Sequence, residues 1–552
     1  MQASNGTGVG RACMSLSHTH VVTSQSSADS QNTPHQQAIH VSDKQLVVAM
    51  GHEQQERGSG HLLLFPFLAQ GHLIPFLNLA KRLESLRQRG GSGHRRLAIT
   101  IVSTPRNVAS LQRALPAGSS IGFAELPFSP SDHGLPPDAE SADAVPLHAF
   151  PTFTFATELL QPSFEKLLTE IAGREGRKNV CVLADMFLGW TAETARALGV
   201  QHRMFLTNGA YASAVIFSIW LRPPSFPRSA DPDDELALAD FPDVRVRYVD
   251  FLNVVLNEDY GTDRSDPVVA YLCRMVSLHL RHSSGLVINT SEEIEPKGLH
   301  LIVKLSGLPT FAVGPVIGAG GRTATDDTAP DQDMCIKFLD SKPQASVLYV
   351  SFGSQSSIPA SQMMELARGL EASGRPFIWV VRPPVESDGA KGFRAEWLPD
   401  DFEERVAAAG QGVVVRGWAP QMRILAHAST GAFLSHCGWN SVLESLWHGV
   451  PVVGWPLIGD QLFDSRVLVE LGVGVEVASG RCFGGLGSKG SERVRDVVET
   501  VLGDGDKAKD MRRKAAEMKK LACAAVGAAD GDGKGKGSSV LAMERLVDSA
   551  FD

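Results

Sequence analysis

A chain of 552 residues, 43% of them apolar, is too long for one hydrophobic core and suits two globular domains. Its formal net charge is −9, and no basic stripe stands out, which argues against a nucleic-acid or anionic-membrane partner and favours a small molecule. No apolar run approaches the ~18 residues of a membrane span, and no signal peptide is predicted. Seven scattered cysteines without a C-x-x-C pair are typical of a reducing compartment, so we expect a cytoplasmic protein.

The first part of the chain differs in composition from the rest. Residues 1–58 are rich in Ser, Gln, Thr and His without apolar periodicity, which predicts a disordered extension, and Met50 is an alternative start. From His61 onwards, short apolar runs such as HLLLFPF, LAITIVSTP and VCVLADMF alternate with helical segments. The first such helix has an apolar face made of Phe76, Leu79, Ala80, Leu83 and Leu86. Strands that alternate with helices predict a doubly wound parallel sheet.

The same alternation returns in the second half of the chain. We predict one Rossmann-like domain over 59–313, a linker rich in Gly, Asp, Thr and Pro over 314–330, and a second Rossmann-like domain over 331–530. The tail, 531–552, is predicted to end in a helix with an apolar face of Val540, Met543, Leu546 and Val547. Ligands of such sheets bind beyond the carboxyl ends of the strands, so two facing domains predict a cleft lined by strand-to-helix loops.

One of these loops, HCGWNS, follows the predicted strand GAFLS. A helix that begins near Ser441 would point free N–H groups and its dipole at an anion, and Gly438 would let the anion approach, which favours a phosphate site. Ser441 and Glu444 also form a capping-box pattern, and the loop alone does not decide between the two interpretations. A zinc site is disfavoured, because the spacing of the nearby histidines and cysteine matches no zinc pattern: His427, His436, Cys437 and His448.

The segment from Trp418 to Gln461 favours the phosphate site. It contains WAPQ, HCGWNSVLES, HGVPVVGWP and a final Asp-Gln pair. In these motifs the chain resembles the plant secondary-product UDP-glycosyltransferases, whose donor-binding signature it matches almost completely. The resemblance begins near His61 and includes LVINTSEEIEP, SVLYVSFGS and WLPDDFEERV. It implies the inverting GT-B fold, in which an N-terminal acceptor-binding domain and a C-terminal UDP-sugar-binding domain face each other, with the tail helix packing back on the first.

The resemblance also implies roles for single residues of the signature. Trp418 would stack on the uracil, the Ala419 backbone would read its edge beside Gln421, and Glu444 would accept the ribose hydroxyls. The diphosphate would lie against the loop residues and one serine from the SFGS motif: His436, Gly438, Asn440, Ser441 and Ser354. A helix N-terminus beside an imidazole can compensate the diphosphate charge, and no D-x-D motif lies near, so we expect no metal and no cofactor beyond the UDP-sugar.

The end of the signature bears on the donor sugar. Asp460 and Gln461 offer acceptors and donors for vicinal hydroxyls, and in the family a Gln at this position accompanies glucose. Trp439 agrees, since a Trp there accompanies neutral hexoses in the family. The less favoured alternative is that Gln461 does no more than begin the helix QLFDSRVLVELG. Thr207 resembles a family position near the sugar hydroxyls, although a threonine that ends a strand could simply pack.

The acceptor side needs a general base. His72 lies at the start of the first helix, where the dipole disfavours the protonated imidazole, and Asp185 ends another strand of the same sheet, where it could orient that imidazole. The His-Asp pair of the family falls on these two residues. On the residues alone, His72 is more typical of a turn histidine and Asp185 of a helix cap.

The predicted function is therefore transfer of glucose from UDP-glucose, with inversion, to a hydroxyl of a small lipophilic acceptor such as a flavonoid, another phenolic, a terpenoid or a hormone. Four phenylalanines suggest an apolar acceptor site or are local core: Phe128, Phe150, Phe153 and Phe155. A UDP-sugar-binding protein without catalysis is disfavoured by the predicted base, and a nucleotide-dependent oxidoreductase by the absence of a strand leading into G-x-G-x-x-G. We expect a monomer.

Overall fold

The computed structural model describes residues 59–89, 96–145, 149–227, 230–255, 266–318, 330–385, 387, 392–480, 485–486, 490–527 and 535–551. The predicted extension over 1–58 lies outside these residues, as do 319–329 of the predicted linker and 531–534 of the predicted tail. In the described part of the chain, no helix is long and apolar enough to cross a membrane.

The strands of the N-terminal half form one parallel sheet and a separate hairpin. They are β1 Gly60–Phe65, β2 Leu97–Ser103, β3 Gly122–Glu125, β4 Val180–Asp185, β5 Gln201–Leu206, β6 Glu235–Ala237, β7 Arg245–Arg247, β8 Leu286–Ile288 and β9 Thr310–Ala312. The sheet has the order β3-β2-β1-β4-β5-β8-β9, and β6 pairs with β7 alone. Every residue of β1 and β4 is buried, as expected for parallel strands covered on both faces, which explains their continuous apolar sequences.

The helices of this half cover both faces of the sheet. They are α1 Gln70–Arg89, α2 Pro105–Arg113, α3 Phe150–Ala156, α4 Gln161–Glu175, α5 Trp190–Ala197, α6 Ala210–Leu221, α7 Tyr248–Val255, α8 Pro267–His282 and α9 Pro296–Ser306. The predicted apolar face of α1 packs in the core, where Phe76, Leu79, Ala80 and Leu83 are at most 1% exposed and Leu86 is half-buried. The doubly wound sheet predicted from the alternating pattern is confirmed.

The C-terminal half repeats this architecture. Its strands are β10 Val347–Ser351, β11 Phe377–Val380, β12 Gly412–Val415, β13 Thr430–Ser435, β14 Val452–Gly454 and β15 Gly474–Glu476. They form a parallel sheet of order β12-β11-β10-β13-β14-β15. The helices are α10 Pro330–Asp340, α11 Ala360–Ala372, α12 Phe402–Ala408, α13 Gln421–Ala426, α14 Trp439–His448, α15 Gln461–Glu470, α16 Gly490–Leu502, α17 Asp506–Val526 and α18 Ser538–Asp548.

The last helix, α18, packs on the N-terminal sheet. Met543 and Leu546 are at most 2% exposed and share one apolar cluster with Leu62 and Leu64 of β1. Beyond the helix, the Phe551 ring lies so close to Gly60 that a Cβ there would come within 2.5 Å of it. The chain therefore begins its first strand and ends its last helix in the same core.

The two halves contact each other directly at the cleft. Asn440 Nδ2 of α14 donates a hydrogen bond to the Gly71 carbonyl of α1 (2.9 Å), and the indole Nε1 of Trp439 donates to the carbonyl of Asn289 (2.7 Å). Further out, Lys297 of α9 pairs with Glu470 of α15 at 3.0 Å. These contacts place the carboxyl edges of the two sheets opposite each other.

Candidate active site in the interdomain cleft

Most of the predicted site residues lie at the carboxyl ends of strands of the two sheets, or in the loops and first helical turns that follow them. On the N-terminal side, His72 follows β1, Asp185 ends β4 and Thr207 follows β5. On the other side, Ser354 follows β10, the Trp418–Gln421 segment follows β12, the HCGWNS loop follows β13, and the Asp460–Gln461 pair comes after β14. The doubly wound topology therefore brings residues that are up to several hundred positions apart to the walls of one cleft.

His72 and Asp185 form a hydrogen-bonded pair. The imidazole Nδ1 donates to the carboxylate Oδ2 at 2.7 Å, and the Asp185 side chain is 0% exposed. The second oxygen, Oδ1, accepts from the backbone N–H of Phe187 at 3.1 Å. Thr207 Oγ1 lies 3.2 Å from the same Nδ1. This arrangement places the proton on Nδ1 and leaves Nε2 of His72 free to accept one. Asp185 does not cap the next helix, which begins at Trp190 after Gly189.

The ionisation of His72 differs from the sequence-based expectation. Burial lowers its pKa, but the Asp185 charge and hydrogen bond, together with the Asp460 charge, outweigh burial and raise the pKa above 6.5. Neighbouring carboxylates therefore outweigh the helix dipole that was expected to keep the imidazole neutral. Burial raises the pKa of Asp460 to about 6, and His72 limits that rise, so the base and the end of the donor signature face each other across the cleft.

Aromatic rings surround the base. The rings of Phe67 and Phe187 have centroids 5.5 Å and 5.4 Å from that of His72, and Phe150 lies 6.3 Å from Phe67. Of the four phenylalanines singled out in the sequence, Phe153 is fully buried core, Phe128 and Phe150 are half-buried, and Phe155 is 36% exposed. Phe67 and Phe187 were missed, although both lie within the two strand-end motifs that supply the base and its partner.

On the donor side, a glutamine joins the predicted uridine-binding residues. Gln421 Nε2 donates to Glu444 Oε2 at 2.7 Å and to Ser441 Oγ at 3.2 Å, while the Tyr349 hydroxyl donates to Gln421 Oε1. Burial raises the pKa of Glu444 to about 7, and the hydrogen bond from Gln421 opposes that rise. The interpretation of Ser441 and Glu444 as a capping box is wrong, because α14 begins at Trp439, two residues before Ser441, and no side chain caps it. Trp418 is half-buried and Ala419 buried, at the entry to α13.

A cavity of about 60 Å³ adjoins Glu444. Ile74, Pro75 and Asn78 of α1 form one wall, and Asn440, Leu443 and Glu444 of α14 form the other. The carboxyl group predicted to bind the ribose therefore borders open space between the two halves.

The loop predicted to hold the diphosphate has an unusual backbone. Cys437 has φ = 63°, a left-handed conformation that is uncommon for a residue with a Cβ and that clusters at functional sites. The His436 ring is clamped by two glycines, since a Cβ at Gly353 or at Gly438 would come within 2.7 Å or 2.5 Å of it. Its Nδ1 is buried without a hydrogen-bond partner in the described part of the structure. Ser354 lies half-buried directly after Gly353.

The electrostatics of this loop differ from the prediction. Burial, assisted by the charge of Arg382, lowers the pKa of His436 to about 4, so the imidazole is neutral near pH 7 and can supply an N–H but no positive charge. The nearby cation is Arg382, which follows β11 and whose buried Nε has no hydrogen-bond partner among the described residues. Arg382 was not among the residues predicted from the sequence, where the signal was an arginine at the end of the apolar run PFIWVVR.

Three predicted donor residues make protein contacts. The Trp439 indole lies in the domain contact described above and packs against Gly209, where a Cβ would come within 3.1 Å of the ring. Asn440 binds the N-terminal half. Gln461 begins α15, and its Oε1 accepts from the backbone N–H groups of Leu457 and Ile458, so its NH2 group is the part left to donate to a sugar.

A buried carboxyl group near Asp460 was not predicted from the sequence. Asp464 of α15 is 0% exposed, and neither of its oxygens has a hydrogen-bond partner within the described residues. Burial, with the charges of Asp460 and Glu295 nearby, raises the pKa of Asp464 well above the usual range. Across the described ranges, no group of three His, Cys, Asp or Glu side chains could hold a metal ion.

Comparison with known proteins identifies the family of this chain. The sequence profile described as "UDP-glucoronosyl and UDP-glucosyl transferase" matches residues 313–507. The chain is 37% identical to UDP-glycosyltransferase 92A1 of Arabidopsis thaliana over 89% of this chain and 97% of that protein. It is 36% identical to crocetin glucosyltransferase 3 of Crocus sativus over 80% of this chain and 91% of that one.

A solved structure extends the comparison to three dimensions. Phytolacca americana UGT2, complexed with UDP-2fluoro-glucose and pterostilbene, superposes with a TM-score of 0.67 at 26% identity, covering 90% of this chain and 100% of that one. The fold is thus GT-B, with two Rossmann-like domains. The chain belongs to the plant UDP-glycosyltransferase family.

Proposed function

We propose that this glycosyltransferase transfers glucose from UDP-glucose, with inversion, to a hydroxyl group of a small lipophilic acceptor, and that His72 is the general base. The observation that carries the proposal is the 2.7 Å hydrogen bond between His72 Nδ1 and Asp185, on the wall of the cleft that faces the donor signature. It supports a catalytic enzyme over a protein that only binds UDP-sugars, because a binding protein has no use for an oriented base.

The proposed reaction uses these groups in the following way. Nε2 of neutral His72 takes the proton of the acceptor hydroxyl while the oxygen attacks C1 of the sugar, and the bond from C1 to the phosphate oxygen breaks, with its electron pair leaving on UDP. Attack opposite the leaving group converts an α-linked donor into a β-glycoside. Asp185 stabilises the imidazolium that forms, as the buried carboxylate does in a catalytic triad.

The leaving diphosphate needs positive potential, and we assign it to three features of the C-terminal domain. The N-terminus of α14 supplies backbone N–H groups, neutral His436 supplies one N–H, and Arg382 supplies the charge. With a guanidinium in the site, transfer requires no metal ion.

UDP-glucose is proposed as the donor because of the Asp460–Gln461 pair. Asp460 faces His72, and the NH2 group of Gln461 is available beside it, so acceptors and donors for sugar hydroxyls lie next to the base. The complex of the Phytolacca relative with UDP-2fluoro-glucose supports the same donor class.

For the acceptor, the rings of Phe67 and Phe187 beside His72 favour a planar aromatic molecule, since offset stacking positions a flat ring and directs its hydroxyl at Nε2. All of the proposed catalytic and donor residues come from one chain, and we therefore expect a monomer to be active.

The test is a screen of flavonoids, other phenolics, terpenoids and hormones with UDP-glucose, with mass detection of products and an NMR measurement of the anomeric coupling constant. A β-glucoside of at least one aromatic alcohol is expected. An α-glucoside would contradict inversion, and UDP binding without turnover of any acceptor would favour the UDP-sugar-binding alternative.

A further inference from the structure

A buried histidine lies behind the proposed catalytic pair. His279 of α8 is 0% exposed, and its Nε2 lies 3.0 Å from the backbone carbonyl oxygen of Asp185. A carbonyl can only accept, so Nε2 carries a proton and donates it. The same carbonyl accepts from the N–H of Leu188 at 2.9 Å, closing the turn 185–188. His279 therefore holds the backbone at the end of β4, whereas His72 contacts the side chain of the same residue, Asp185.

The contacts continue beyond His279. Its Nδ1 lies 3.3 Å from Ser283 Oγ, and the same Oγ lies 3.0 Å from Nδ1 of His202 on β5. Nε2 of His202 lies 3.0 Å from Thr191 Oγ1, which donates to the carbonyl of Leu188 at 2.5 Å. The chain of side chains His279–Ser283–His202–Thr191, called the buried relay below, thus begins and ends on the carbonyls of the same turn.

Both imidazoles of the buried relay are neutral near pH 7. Burial lowers the pKa of His279 to about 4, although the carbonyl and charge of Asp185 oppose it. Burial and the charges of His279 and His282 hold the pKa of His202 well below 6.5. The titratable groups that face His279 are thus Asp185 and His202.

The number of protons fixes the direction of each hydrogen bond. The buried relay contains five contacts, counting those to the carbonyls of Asp185 and Leu188 at its two ends, and both carbonyls can only accept. The two neutral imidazoles and the two hydroxyls have one proton each to donate, which makes four protons. One of the five contacts therefore has no proton. The longest link is the one between His279 Nδ1 and Ser283 Oγ, at 3.3 Å. With that link vacant, Ser283 donates to His202, His202 to Thr191, and Thr191 to Leu188, while the only proton of His279 goes to Asp185.

The turn 185–188 carries two groups that contact His72, the Asp185 carboxylate and the Phe187 ring. The N–H of Phe187 donates to Asp185 Oδ1 at 3.1 Å, which fixes the carboxylate, and the Phe187 ring lies 5.4 Å from the His72 ring. We propose that His279 is a positioning residue of the transfer reaction: by its hydrogen bond to the Asp185 carbonyl it sets the turn that aims the carboxylate at His72. The inference rests on the proposed role of His72 and Asp185.

The test compares two amides at one position. In His279→Gln the amide nitrogen reaches the place of Nε2 and keeps the bond to Asp185; in His279→Asn it does not. We expect His279→Asn to lower kcat about tenfold and His279→Gln less than about threefold, with KM for UDP-glucose within about twofold in both, because misplacing a catalytic group affects the chemical step. The acid limb of kcat/KM should move to lower pH in His279→Asn, because a loosened Asp185 raises the pKa of His72 less.

His61→Asn is the matched control. His61 is also 0% exposed and hydrogen-bonded, to Glu175 and Thr100, but it lies at the amino end of β1, away from the cleft. The variant His61→Asn should lower the melting temperature of the protein without moving the acid limb of kcat/KM. If His279→Asn does not fold, His279→Met replaces it, since methionine fills the space without an N–H.

A double-mutant cycle with Asp185→Asn decides the mechanism. If His279 acts through Asp185, His279→Asn should change kcat less than about twofold in the Asp185→Asn background. The same tenfold loss in both backgrounds, or an unmoved acid limb with only lower thermal stability, would overturn the proposal. Full turnover by His72→Ala would instead refute the proposed function itself, so the two failures are distinguishable.

Discussion

Replacing Asp185 by asparagine removes a charge while preserving the size of the side chain. The structure predicts two effects, a lower kcat and activity that persists to lower pH. The carboxylate is 0% exposed and lies 2.7 Å from His72. A buried hydrogen bond to a charged group contributes about 1.5–3 kcal/mol, so kcat on the alkaline plateau should fall by about 10- to 150-fold. The loss should be smaller than that caused by His72→Ala, which removes the base.

The pH profile of Asp185→Asn should shift to lower pH. Activity needs neutral His72 and is lost as pH falls through its pKa, which Asp185 holds above 6.5 against the lowering effect of burial. With asparagine, burial remains while the main opposing cause disappears, so the pKa of His72 falls and the acid limb of kcat/KM should move to lower pH. The variant is thus slower but active at lower pH.

The geometry adds a constraint on the mutant. Asp185 accepts from both His72 Nδ1 and the Phe187 N–H, one on each oxygen, whereas an amide has only one oxygen. Either His72 or the backbone donor must then face an NH2 group, so the loss of activity exceeds that of a single neutral hydrogen bond.

The assay is kcat/KM with one good acceptor from pH 5 to 9. Asp340→Asn serves as control, because Asp340 also pairs with a histidine, His427, at 3.2 Å, but is 66% exposed and remote from the cleft. An acid limb of Asp185→Asn that stays in place or moves to higher pH would refute the reasoning.

Three further predictions concern the donor side. Arg382→Gln should raise the Kd for UDP, measured by calorimetry, about tenfold or more, because a charged hydrogen bond is lost. The control Arg368→Gln, on the exposed face of α11, should leave that Kd unchanged. If Arg382→Gln binds UDP as tightly as wild type does, Arg382 is not part of the site. Gln461→His should lower the UDP-glucose to UDP-galactose ratio of kcat/KM by about ten- to a hundredfold, and an unchanged ratio would contradict the donor assignment. Ribose hydroxyls favour ionised Glu444, whose pKa is raised to about 7, so binding of uridine should release a proton and weaken as pH falls from 8 to 6; binding that is independent of pH would argue against that contact.

The alternating pattern of apolar runs was sufficient to predict both sheets, because strands covered on two faces must be apolar throughout. Motif position also predicted that His72 and Asp185 would meet, since each follows a strand of one parallel sheet. The start of α14 was misplaced by two residues, because Ser441 and Glu444 form a capping pattern that the helix does not use: it begins after Gly438 without a side-chain cap.

Other features depended on contacts between distant residues. The raised pKa of His72 results from two carboxylates, Asp185 and Asp460, that lie 113 and 388 residues away in sequence, whereas the local sequence around His72 contains only the start of its own helix. The neutral state of His436 and the charge of Arg382 depend on burial in the folded cleft. No local pattern contains such information, because desolvation is a property of the assembled core.

The central claim is that His72 is the base of an otherwise complete donor-binding enzyme. It is tested most directly by measuring, for His72→Ala, both turnover of UDP-glucose with the best acceptor and the affinity for UDP. His300→Ala is the control, because His300 is an exposed residue in the middle of α9. We predict that His72→Ala loses transfer by at least ~10²-fold while its Kd for UDP stays within about twofold of wild type, because the base and the nucleotide belong to different domains. Turnover near the wild-type rate would contradict the account.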